Sequence, residues 1–172
     1  AAPLRLARFP AGEDVVRLAP AVLAATAASD AAAETLLAWA RAEHEAGDCA
    51  AALGLYRAAE RRSGQAPARG AAEGYAACST RLAVDLLERG ELAAAQRGFE
   101  AAIRRDPEGA AGRRALVGLG DVLFQEGDLM QAQIAWRTAA STAGQSDSIT
   151  TLALERLRAS EVVDSAEPSG VP

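Results

Sequence analysis

The 172-residue chain has no lysine: all 18 of its basic residues are arginine. Alanine, arginine and glycine are abundant, so the bias reads as the imprint of a GC-rich, bacterial coding sequence rather than as a functional device. Histidine occurs once, at His44, between Glu43 and Glu45. A histidine flanked by carboxylates can serve as a base or a metal ligand. With no second histidine in the chain, His44 reads as an ordinary surface or groove residue, and no metal is expected. The two cysteines, Cys49 and Cys78, form neither a CxxC pair nor a zinc spacing. Both fall among small apolar residues in helical stretches, where cysteine behaves as a small hydrophobe. That predicts buried, reduced thiols; a disulfide is the alternative if the chain is exported.

Other scarcities narrow the function. Aromatic residues are only 4% of the chain although half of it is apolar, so burial must come from close helix contact rather than large side chains. No run of alternating β-branched residues predicts a sheet, and alanine is the best helix former. The net charge of −5, with no clustered basic face, speaks against nucleic-acid binding. The pairs Arg104-Arg105 and Arg113-Arg114 read as solvated charge near helix ends. The apolar run Ala19 to Ala28 is about half the ~20 residues a spanning helix needs, so no transmembrane segment is expected. It faintly resembles the apolar part of a signal peptide, but Glu13 and Asp14 stand where basic residues belong. No glycine-rich phosphate loop follows a strand, and Gly118-Leu119-Gly120 lies mid-helix. These readings predict a non-enzyme with no catalytic residues and no cofactor.

What is present is a repeated helical pair. In Leu82 to Pro107, two apolar helices flank the turn Arg89-Gly90-Glu91. The first offers Leu82, Leu86 and Leu87; the second offers Leu92, Ala95, Phe99, Ala102 and Ile103, the spacing of one helical face. Gly90 suits a left-handed helix end, and Asp106-Pro107 stops the second helix. Leu119-Gly120, Leu123, Gly127-Asp128, Ala132, Trp136 and Ala139 repeat the pattern downstream. Upstream, Trp39-Ala40, Gly47-Asp48, Ala52, Tyr56 and Ala59 fall in the same register, with Glu43 in the middle apolar slot.

These residues resemble the tetratricopeptide repeat (TPR), whose period is about 34 residues and whose units are helix–turn–helix hairpins. Leu119-Gly120 matches its leucine-glycine pair and Pro107 its closing proline; Leu36, Ser79 and Leu116 occupy the first aromatic slot. The resemblance implies an all-α fold: an α-solenoid of about three TPR-like hairpins, with an N-terminal helical segment and a C-terminal capping helix. Residues 1–29 are then an extended and helical N-terminal segment, 30–145 the three helix pairs, 146–163 the cap, and 164–172 an acidic flexible tail. Small residues at Ala40, Ala83 and Gly120 in the first helices, and at Ala52, Ala95 and Ala132 in the second, let paired helices approach. Tyr56, Phe99 and Trp136 fill the space between hairpins.

Individual helices are expected to end near Ala46, run from Cys49 to Arg62, start near Ala71, and span Glu108 to Glu126, Leu129 to Thr142 and Ile149 to Val163. Gly109, Gly112, Gly118 and Gly120 are placed in one of these helices. Gly120 has a packing reason; Gly118 implies either close approach by another backbone or local softness. The loop Gly64 to Gly70 is an exposed insertion between repeats.

In the TPR family the first helix of each pair lines a concave binding surface. Carried over, the partner groove consists of Leu37, Arg41 and His44; Thr80, Val84 and Leu87; and Val117, Asp121 and Phe124. Some relatives grip a C-terminal carboxylate with lysine and asparagine there, and this groove has neither. A mainly apolar groove suits an amphipathic helix or extended apolar peptide. The expected function is a non-catalytic scaffold or adaptor for a protein partner within a bacterial multiprotein assembly. The alternative is a structural subunit of a homo- or hetero-oligomer that packs through its edges. The chain begins at Ala1-Ala2-Pro3 without methionine, as a processed or excised piece would. Its compartment is either the bacterial cytoplasm or, if an export signal was removed, the periplasm.

Overall fold

The computed structural model describes residues 33–62, 70–141 and 147–166. The N-terminal segment 1–29, most of the insertion loop and the last residues of the tail lie outside them. Seven helices and no strand occur among the described residues: α1 (Ala33–Glu45), α2 (Cys49–Arg62), α3 (Ala71–Glu88), α4 (Leu92–Arg105), α5 (Ala110–Gln125), α6 (Leu129–Ala140) and α7 (Ser148–Ala166). The protein is all-α. None of these helices is long and apolar enough to cross a membrane.

Three tight turns join α1 to α2, α3 to α4 and α5 to α6, and all close the same way. Gly47, Gly90 and Gly127 take φ of 88°, 76° and 86°, a left-handed conformation that costs glycine nothing. At each turn the glycine N–H and the N–H after it reach back to the carbonyls of the preceding helix. Gly90 N donates to Leu87 O (2.9 Å) and Glu91 N to Leu86 O (2.9 Å). Gly127 N donates to Phe124 O (3.1 Å) and Asp128 N to Leu123 O (2.9 Å). This satisfies carbonyls that a helix end leaves unpaired. Asp48 and Asp128 then open the next helix: Asp48 Oδ1 accepts from Ala51 N (2.9 Å) and Asp128 Oδ1 from Gln131 N (3.1 Å).

Packing follows chain order, each helix lying against the next. In addition α1 touches α3, α3 touches α5, and α5 touches α7. The odd-numbered helices therefore make a continuous row. Alanines pack where helices cross: Ala40, Ala52, Ala83, Ala95 and Ala132 are fully buried. Helix α3 serves two cores at once. Tyr75 and Cys78 belong to the core of α1 and α2, with Leu82 packed against it. Ala76 and Ala83 belong to the core with Phe99 and Val122, which Leu86 and Leu87 border. Leu82 thus faces the preceding pair rather than its own, which the one-face reading of Leu82, Leu86 and Leu87 did not separate.

The aromatics of the second helices sit against glycines. The Tyr56 ring covers Gly74, the Phe99 ring covers Gly118, and the Trp136 indole covers Gly120. A Cβ on any of the three would overlap the ring. Gly118 is therefore required by a neighbouring ring, neither by a neighbouring backbone nor by softness.

Three helix limits differ from the sequence pattern by two residues or more; one is the end of α6, which stops at Ala140 rather than Thr142. Helix α5 starts at Ala110, so Gly109 precedes it in an extended conformation. Helix α7 runs on to Ala166, beyond the expected stop at Val163. Asp147 anchors its start. It accepts from Thr150 N (2.8 Å) and binds the buried Arg113 guanidinium at 2.6 and 3.2 Å. Arg113 also donates to Ala139 O (3.2 Å) and Thr150 Oγ1 (2.7 Å), so one side chain ties α5, α6 and α7 together. Arg113 is thus no solvated charge: it is 1% exposed, while Arg114 beside it is open.

Candidate functional site

Helices α3, α5 and α7 border a groove of about 1290 Å³. Val84, Leu87, Val117, Asp121 and Phe124, five of the nine residues expected to meet a partner, line it. Val84 and Phe124 are 37% and 38% exposed, large apolar side chains open to solvent on the groove wall. Leu152 from α7 and the edge of Trp136 extend the apolar surface. Phe124 and Trp136 meet with ring centroids 5.9 Å apart.

Five charged residues line this surface: Glu88, Arg114, Asp121, Glu155 and Arg156. Arg114 stands where the groove meets a smaller depression. Asp121 accepts hydrogen bonds from Trp136 Nε1 (3.2 Å) and Arg156 Nε (2.9 Å). Burial pushes the Asp121 carboxyl above the usual aspartate range, and the bond and charge of Arg156 oppose that push. The same Trp136 N–H also reaches Val117 O (3.1 Å), so it is shared between two acceptors on α5.

A second depression of about 590 Å³ is lined by His44, Thr80 and Val84, with Glu73, Arg81 and Asp85. Val84, Arg114 and Ile149 line both depressions, so the two share a border. Two expected residues lie elsewhere. Leu37 is 8% exposed and packed in the α1–α2 core. Arg41 reaches Gly70 at the start of α3, where a Cβ would stand 2.9 Å from its Nη2. The contribution of α7 (Leu152, Glu155, Arg156) was not anticipated. Its signal lay in the helical spacing of those residues, on a helix read only as a cap.

The cysteines correct a further expectation. Cys49 and Cys78 are buried, at 2% and 0% exposure, but they are not free thiols. They form a disulfide between the first turn of α2 and the middle of α3, with Cα atoms 4.9 Å apart. His44 lies beside them, and the ligating atoms of the three side chains all fall within 4.8 Å of one another. The Tyr56 hydroxyl is 3.2 Å from His44 Nδ1, and the two rings meet edge to face. Burial raises the Tyr56 hydroxyl pKa, which keeps it protonated. This grouping could not be read from spacing, because Cys78 arrives from the next helix pair. Among the described residues it is the one cluster with ligands suited to a soft metal.

Compared with known proteins, the chain matches no family model and no curated protein.

Proposed function

We propose that the protein is a non-catalytic scaffold, an α-solenoid of three TPR-like helix pairs capped by α7. It takes a partner helix or extended apolar peptide into the groove of α3, α5 and α7, within a bacterial multiprotein assembly. The observation that carries this reading is the exposure of Val84 and Phe124 on the wall of a groove bordered by three helices. Large apolar side chains left in water on a concave surface favour a partner that removes them from it, at about 25 cal/mol per Å² of apolar area. Support for the repeat reading comes from the three equivalent glycine turns and from the row of odd-numbered helices. In this reading Arg114, Asp121 and Arg156 orient the partner through its polar side.

The test is paired capture from a native extract, with the wild type beside Val84→Glu, Phe124→Glu as baits and circular dichroism to show equal helicity. The reading predicts a protein held by the wild type and lost by the variant. That protein is then synthesised in segments and titrated against both baits. Equal capture by both would sink the groove reading.

A second reading, a structural subunit that packs through its edges, is favoured by Met130 and Ile134. They stand one turn apart on α6, 68% and 48% exposed, and line neither depression. It predicts a mass that rises with concentration in light scattering, reversed by Met130→Glu, Ile134→Glu.

A further inference from the structure

The groove reading leaves Cys49, Cys78 and His44 without a role. We propose that, once the disulfide is reduced, these three side chains hold one Zn²⁺-type cation, with the fourth coordination position open to the smaller depression. Two sulfurs and one imidazole nitrogen are the donor set that zinc takes in three-ligand sites with an open position. In tetrahedral coordination at about 2.3 Å per sulfur, two thiolates stand roughly 3.8 Å apart. All three ligating atoms already lie within 4.8 Å of one another, so opening the S–S bond and small side-chain rotations complete the geometry.

The surroundings fit a ligand set. Cys49 is the first residue of α2, where the helix dipole favours a thiolate. The Tyr56 hydroxyl engages His44 Nδ1, which orients the ring and leaves the other nitrogen to coordinate. The sulfurs are buried, yet His44 is half-buried and lines the smaller depression, which provides an entry path. Glu73 and Asp85 line the same depression and balance Arg81 and Arg114 there.

The chemistry balances as two separate steps. An external dithiol or phosphine reductant delivers two electrons and two protons, breaking the S–S bond to leave two thiols while the reductant is oxidised. Zn²⁺ then displaces both thiol protons, and its two charges are neutralised by two thiolates. An external two-electron oxidant, a small disulfide or hydrogen peroxide, takes two electrons from the two thiolates and is itself reduced; the S–S bond re-forms, both sulfur ligands are withdrawn and the ion is released. Disulfide and metal site are therefore exclusive states of one cluster. This proposal does not depend on what occupies the larger groove.

The test uses the full chain, oxidised or reduced with a phosphine that does not bind metal, titrated with Co²⁺ and then Zn²⁺. The expected result is one Co²⁺ per reduced chain, with thiolate-to-cobalt charge-transfer absorption that Zn²⁺ abolishes; the oxidised chain shows none. His44→Ala should weaken Co²⁺ binding about tenfold or more, and Tyr56→Phe should weaken it to a smaller extent. Should reduction loosen the fold, Zn²⁺ is expected to raise the helical signal and melting temperature of the reduced wild type but not of reduced His44→Ala. The proposal is overturned if the reduced wild type gives no charge-transfer band and no thermal shift with Zn²⁺. It is equally overturned if His44→Ala binds as tightly as the wild type.

Discussion

Four residues, Cys49, Cys78, Asp121 and Asp147, carry chemistry that the hydrophobic pattern does not describe. The Cys49–Cys78 bridge closes a stretch with a sequence separation of 29. On the chain-entropy account, such a loop restrains the unfolded state by about 3.5 kcal/mol. Reduction, or Cys49→Ala with Cys78→Ala, should therefore lower the unfolding free energy by about 3 kcal/mol, measured by urea denaturation in metal-free buffer. Two aspartates, Asp147 at the start of α7 and Asp121 in the groove, should act in opposite directions with pH. Arg113, and then the Thr150 N–H, hold the Asp147 carboxyl well below the usual aspartate range. A depressed folded pKa means that Asp147 contributes stability in full above the ordinary aspartate pKa. That contribution is lost as pH falls through the ordinary value toward the folded one. Burial raises Asp121, so its ionised form costs stability near neutrality, and the cost is relieved as pH falls through the raised value. Melting temperatures across the acid range should show Asp147→Asn less stable near neutrality and less sensitive to acid. Asp121→Asn should be more stable near neutrality.

At the scale of the helix, an aromatic–glycine contact sets how closely neighbours pack. Phe99 on α4 lies on Gly118 of α5, and Tyr56 on α2 lies on Gly74 of α3. Each spans two helix pairs, while Trp136 on α6 lies on Gly120 within its own pair and joins the core shared with α7. A helix-interior glycine costs roughly 1 kcal/mol against alanine when nothing else intervenes. Here the ring reverses that preference: Gly118→Ala is expected to destabilise by about 1–3 kcal/mol through overpacking. Phe99→Ala should cost about 3–5 kcal/mol as a cavity opens. The effect of Gly118→Ala should shrink in a Phe99→Ala background, since the clash is then gone. Chemical denaturation of the two single variants and the double variant checks the coupling; additive effects would show that ring and glycine do not interact.

Across the whole molecule, stability depends on neighbours in sequence order, because α3 and α5 each serve the helix pair before and the helix pair or cap after. Helix α7 covers Trp136, Val117 and Ala139 with Ile149 and Ala153. It also supplies Asp147 and Thr150 to the buried Arg113. Ending the chain at Ser141 would expose that core and strip the guanidinium of two acceptors. Such a chain should lose helical signal beyond the share of α7 itself and self-associate in light scattering, whereas Arg156→Ala, which removes the bond and charge that offset the burial of Asp121, should lower the melting temperature modestly near neutrality with helical signal kept. The same helix forms one wall of the groove, so on the proposed groove reading truncation should remove partner capture together with stability.

The sequence by itself determined the helices and the turns between them. The helices Cys49–Arg62 and Leu92–Arg105 were legible because their limits are local: a glycine turn, a capping aspartate, or a proline after the last turn. Five groove residues were legible for a related reason, since one face of α3 and of α5 is set by helical spacing. Tertiary structure decided everything that joins residues from different helix pairs. It brought Cys78 to Cys49 and His44, buried Arg113 against Asp147, set Gly118 under Phe99, and made α7 a groove wall. It also withdrew Leu37 into the core and turned Arg41 toward Gly70. Helical periodicity states which side of a helix is apolar, but not which neighbour covers it. That depends on how closely two helices approach, which here is set in part by Gly74 and Gly118, whose ring partners lie one helix pair away.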